Sequence, residues 1–132
     1  MPKIYIINTN QTNHPNCELD MLQYGKCAAY YSPWKYYIDE IEANDIVFLY
    51  SNGKGIIARG MATGITEASD YQGETDEEHY MNLDRFQVLT KPLQPSEISR
   101  IVGHKIMFNQ TVVTLPHLFG IKLWQHITKH CI

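Results

Sequence analysis

At 132 residues and 15.3 kDa the chain is the size of one domain. With 44% apolar residues it can build a core, and 19% charged residues is too few for a disordered segment. A net charge of −3 excludes a densely basic, non-specific nucleic-acid binder, and apolar runs no longer than Ile46 to Tyr50 exclude a membrane-spanning helix, which needs about 20 such residues. The net charge hides a segregation. Glu67, Asp70, Glu74, Asp76, Glu77, Glu78 and Asp84 lie in a stretch without Lys or Arg, which leaves 11 basic and 7 acidic residues elsewhere, a balance of +4. Nucleic acid is therefore permitted as a partner, though not demanded.

The chain opens on Lys3 to Asn8, a β-rich run that reads as a strand rather than as a signal peptide, and Asn8 to Pro15 is a polar loop. Glu18 to Tyr24 is a short helix closed by Gly25 as a left-handed cap. Lys26 to Tyr31 is extended. Ser32-Pro33 supplies N-cap and first turn for a helix through Trp34 to Ile41, whose Trp34, Tyr37, Ile38 and Ile41 share one core-facing stripe. Asp45 to Ser51 and Ile56 onward flank Asn52-Gly53, which predicts a hairpin whose two central residues both take positive φ. Small residues on its second arm (Ala58, Gly60, Ala62, Gly64) leave room for close approach by another backbone or a ligand. An acidic loop over 67–78 precedes a strand from Arg85 to Leu89. Gln94-Pro95-Ser96-Glu97 opens a helix ended by Gly103, and Thr114-Leu115-Pro116 opens the last one, with Phe119, Leu123 and Ile127 on one face. The sum is an α+β domain, a small, partly closed mixed β-barrel with helices packed at its margins.

Enzyme signatures are sparse. There is no GxSxG, P-loop or HExxH, and Gly53-Lys54-Gly55 is a hairpin tip rather than a phosphate cradle. Cys17, Cys27 and Cys131 make no disulfide framework and no CxxC pair, which fits a reducing, cytoplasmic setting. His126 and His130-Cys131 have helix-face spacing but sit at the end of the chain, and they read as surface. No metal and no cofactor are expected. Aromatic residues are the outlying feature: Tyr30, Tyr31, Trp34, Tyr36 and Tyr37 lie within eight residues, and Tyr50, Tyr71 and Tyr80 follow. Such rings stack on bases. The competing reading makes Trp34, Tyr37 and Tyr50 core residues.

Ile46 to Ala62 resembles the central hairpin of YTH domains, readers of N6-methyladenine that belong with EVE domains to the PUA-like group. Asp70-Tyr71-Gln72 is similar to their Asp-Tyr-Asn, Arg85-Phe86-Gln87-Val88 to their next strand, and Thr111 to Ile127 to their closing segment. Ile41 followed by Asp45-Ile46-Val47-Phe48 is similar to EVE domains. The resemblance spans nearly the whole chain. It implies a pocket for one flipped-out modified base, non-enzymatic, with Asn8, Thr9 and Asn10 at the rim, Gln72 hydrogen bonding a ring nitrogen, and Asp70, Tyr71 and Tyr80 beside it. A cage Trp is expected near Cys27-Ala28-Ala29, where this sequence has none. Tyr30 or Trp34 then supplies that wall, and the small Ala28 and Ala29 leave room for a bulkier modification. Lys26, Lys35, Arg59 and Arg85 are the candidate phosphate contacts. The partner implied is DNA or RNA carrying a modified base, with a fused or associated nuclease or motor as a further candidate. Two other readings stand beside it: a PUA-like enzyme acting on RNA or nucleotides through Asp70 or a His, and a protein–protein module with the aromatic cluster as hot spot.

Overall fold

The computed structural model describes residues 3–10, 14–108 and 110–132. Strand β1 (Ile4–Asn8) leads to helix α1 (Pro15–Tyr24), then β2 (Lys26–Tyr30), the short α2 (Lys35–Ile38), β3 (Ile46–Ser51), β4 (Gly55–Tyr71) and β5 (Glu74–Leu93). Helix α3 (Pro95–Val102), β6 (Val112–Leu115) and α4 (His117–His130) complete the chain. One sheet in the order β2-β5-β4-β3-β1-β6 curls into a half-barrel with the helices at its margins. β1 and β3 run parallel, and every other pair is antiparallel.

Strand periodicity builds two cores. On β1 and β3, Tyr5, Ile7, Val47 and Leu49 face α1, β2 and α2, while Ile4, Ile6, Ile46 and Phe48 face α3 and α4. A strand buried on both faces carries an unbroken apolar run, which is why Ile46–Tyr50 is continuous. Gly25, at φ +63, caps α1 and Gly103, at φ +79, caps α3. Helix α1 begins three residues earlier than its apolar pattern suggests, with Pro15 in its first turn.

Three expectations change. The hairpin joining β3 and β4 forms, but only Gly53 of its central pair takes positive φ (+85), and the Lys54 N–H bonds the Ser51 carbonyl at 3.0 Å. The two-residue turn with both φ positive lies elsewhere, at Gln72 (+51) and Gly73 (+79) between Tyr71 and Glu74. The acidic stretch is therefore no loop but a ribbon of β4 and β5, joined by β2 beside β5 from Glu78 on, and the strand expected at Arg85 is part of β5. Helix α2 is a single turn, and Trp34 and Tyr37 stay 46% and 39% exposed rather than packing on the core with Ile38 and Ile41. The small residues of β4 do admit the close approach expected there, by protein: a Cβ on Gly60 would stand 2.8 Å from Leu83 Cβ, and one on Gly64 would stand 2.7 Å from the Ala43 backbone nitrogen.

Candidate functional site

The sheet does not close. Its two outer strands, β2 and β6, face each other across a cleft of about 930 Å³ whose wall includes Ala28, Ala29 and Tyr30 from one edge and Val112 and Thr114 from the other. Asn8, Asn10, Tyr31, Trp34 and Tyr71 also line it, so three segments distant in sequence converge there. Tyr5, His14, Tyr37, Glu40, Asn52, Gln110 and Thr111 join them unanticipated. Of these, Asn52 was visible only as a turn residue, yet its side-chain oxygen accepts from Asn8 Nδ2 at 3.1 Å. The β6 residues were missed because Val112–Leu115 is a short edge strand ahead of a strong helix start.

Three tyrosines form the inner corner. The Tyr30 and Tyr71 rings lie 4.4 Å apart, and Tyr31 meets Tyr71 edge-on at 5.5 Å. The Tyr31 hydroxyl donates to Gln72 Oε1 at 2.8 Å, and the Tyr71 hydroxyl lies 3.3 Å from Cys17 Sγ. Burial pushes the ionisation of Tyr30 and Tyr71 far upward, so both remain neutral. The Tyr30 hydroxyl is buried beside the Cys17 thiol, with Glu78 and Asp20 nearby, and makes no well-formed hydrogen bond among the described residues.

Main-chain groups add to the wall. Leu83 N–H bonds Gly25 O and Tyr31 N–H bonds Glu77 O, which sets the phase of the β2–β5 ladder. Residues 27 and 29 thus turn their main-chain groups toward β5, and Ala28 and Tyr30 turn theirs to the open edge. At the rim, Asn10 sits at φ +63, with its N–H held by Asn8 Oδ1 at 2.7 Å.

Several residues singled out from sequence serve elsewhere. Thr9 is fully buried, its hydroxyl 2.7 Å from Glu18 Oε1, and so is no rim residue. Asp70 is exposed on the ribbon, where its carboxylate accepts from Asp76 N–H at 3.1 Å. Gln72 and Tyr80 do not line the cleft. Gln72 borders a smaller hollow of about 400 Å³ beside it, and Tyr80 lies under the Lys26 ammonium at 4.3 Å.

The phosphate assignments change most. Lys26 is buried and bonded to Glu78 at 2.7 Å and Asp20 at 3.0 Å, and Lys35 is buried and bonded to Glu77 at 2.6 Å. Arg59 is buried against α4, donating to the Trp124 carbonyl, Thr128 and Gln87 while stacking on Trp124 at 4.2 Å. Each cation is held by the protein because burying one demands partners. Arg85 is exposed but does not line the cleft. Among the described residues no group of three His, Cys, Asp or Glu side chains is placed to hold a metal, and no helix is long and apolar enough to cross a membrane.

No family model matches the sequence, and no curated protein does. Solved structures do. A YTH domain of the Zygosaccharomyces rouxii MRB1 protein, determined in complex with N6-methyladenosine RNA, matches with a TM-score of 0.63 at 10% identity, over 96% of this chain and 86% of that one. A hypothetical protein from Leishmania major matches at TM-score 0.62 and 8% identity, over 98% and 96% of the two chains. Rpa0253 from Rhodopseudomonas palustris matches at 0.60 and 13%, over 96% and 91%. At such identities the likeness concerns the fold, and the fold of this chain is YTH-like.

Proposed function

We propose that this chain is a non-enzymatic nucleic-acid-binding domain that takes a modified base, flipped out of its strand, into the cleft between β2 and β6. The observation that carries the reading is the cleft itself. Rings from β2, α2 and β4 converge on an opening that also offers main-chain hydrogen-bonding groups at Ala28 and Tyr30. A base needs both: stacking at about 1–3 kcal/mol per ring face, and polar partners for its edge. A YTH-like fold whose solved relative was captured with N6-methyladenosine RNA supports the same reading.

Roles follow from position. Trp34 and Tyr37, half exposed at the mouth, stack on the incoming base. Ala28 and Ala29 leave space deep in the cleft, and the main-chain groups of Ala28 and Tyr30 on the open edge of β2 meet the base edge. Phosphate contact falls to exposed cations such as Lys54, beside Asn52 at the hairpin tip, rather than to Lys26, Lys35 or Arg59.

The test is binding of matched oligonucleotides with and without a central methylated base, in DNA and RNA, across salt. Tighter binding of a methylated strand, with log K falling as salt rises, is expected. Equal binding of methylated and unmodified strands overturns the proposal.

A further inference from the structure

The charge around the cleft is one-sided. Among the described residues, no Lys or Arg lines either the cleft or the smaller hollow beside it. Glu40 borders the first, and Asp20 and Glu78 border the second, two carboxylates against the single ammonium of Lys26. The field reaches inward: Tyr5, in the cleft wall, is harder to ionise because of burial and because Asp45, Glu40 and Glu42 lie near it. Trp34 and Tyr37, by contrast, have no ring or cation against their faces among the described residues, although both line the cleft at its exposed mouth.

We infer that the cleft selects a base carrying a positive charge, such as a ring-nitrogen-methylated purine like 1-methyladenine or 7-methylguanine, over a neutral methylated base. This rests on the base-capture reading above and narrows its ligand. Any flat base gains stacking from the rings. A cationic one also gains attraction to the faces of Trp and Tyr and to Glu40, the one carboxylate side chain among the described residues that line the cleft. In water that charge is already solvated, so the gain at the half-exposed rings is that of a partly screened contact, a few-fold to about thirtyfold in affinity.

The full-length chain is titrated calorimetrically at pH 7 with RNA oligonucleotides of one length, carrying a central 1-methyladenine, 7-methylguanine, N6-methyladenine or unmodified purine. The cationic bases should bind about two- to thirtyfold tighter than N6-methyladenine. Trp34→Leu, which keeps apolar area but removes the ring face, should abolish that preference, and Tyr37→Leu repeats the test if the first variant does not fold. Retained preference for N6-methyladenine, or equal affinity for all methylated strands, overturns this inference while leaving base capture intact. No advantage of any methylated strand over the unmodified one overturns both. Binding of a trimethyllysine peptide in place of every oligonucleotide also overturns both and makes the cleft a reader of protein tails.

Discussion

At the scale of single residues, the cations divide the structure's stability from its function. Arg59 makes hydrogen bonds to Trp124, Thr128 and Gln87 that pin α4 to the sheet, and bonds to a charged group contribute about 1.5–3 kcal/mol. Arg59→Met should therefore lower the unfolding free energy by about 2 kcal/mol in urea titrations and leave nucleic-acid affinity unchanged. Lys26→Met leaves Glu78 buried without its partner, at a cost of about 3 kcal/mol. Trp34→Ala behaves in the opposite way. The ring is 46% exposed, so stability should shift by no more than about 0.5 kcal/mol while affinity for a methylated strand drops by about 1–3 kcal/mol. Protonation gives a further signature. Complete burial pushes the Cys27 thiol up to about 12, against about 8.5 in an unfolded chain. The native state holds this proton where the unfolded state releases it, so stability is complete below the unfolded value and is lost as pH climbs through that window. The raised tyrosines Tyr5, Tyr30 and Tyr71 add to the loss above about pH 10. The urea midpoint should fall steadily from about pH 8.5 upward, and a midpoint that rises over this range contradicts the buried, neutral Cys27.

At the scale of elements, what was legible in the sequence was what local chemistry decides. Gly25 and Gly103 ended their helices as left-handed caps, and the β-rich arms around Asn52-Gly53 paired. The acidic ribbon was not legible, because Glu and Asp are poor strand formers and Gln-Gly is a weak turn signal. Its pairing is decided by tertiary neighbours: β5 lies between β4 and β2, as Ser69↔Glu78 and Tyr30↔Glu78 show. The family resemblance, more than residue types, pointed to the three segments, whose Asn8, Asn10, Ala28 to Tyr31, Trp34 and Tyr71 line the cleft. The burial of Thr9 and the capture of Lys26, Lys35 and Arg59 by buried partners could not be read, because both depend on tertiary neighbours forty or more residues away in several cases. Close packing between elements offers its own test. Gly64 sits at φ +81 with Ala43 backbone against the place of a Cβ, so Gly64→Val combines backbone strain with a steric clash. Its thermal midpoint should fall well below that of Gly53→Val, where nothing lies within 4 Å and only the φ of +85 is strained.

At the scale of the whole molecule, the proposed function rests on incomplete closure. A barrel sealed between β2 and β6 would pair its edges, whereas the half-barrel leaves main-chain groups and aromatic rings facing one opening. The second core, packed under α3 and α4, covers the far face of β1 and β3. The cleft's lining implies that binding is confined to one side of the molecule. The most direct measurement is an amide chemical-shift map recorded while an oligonucleotide with a central methylated base is added. The account predicts saturable shifts at Asn8, Asn10, Ala28 to Trp34, Tyr71 and Val112, with α3 and the C-terminal half of α4 unmoved. Shifts centred on α3 and α4, or no shifts at oligonucleotide concentrations that saturate other readouts, would contradict it.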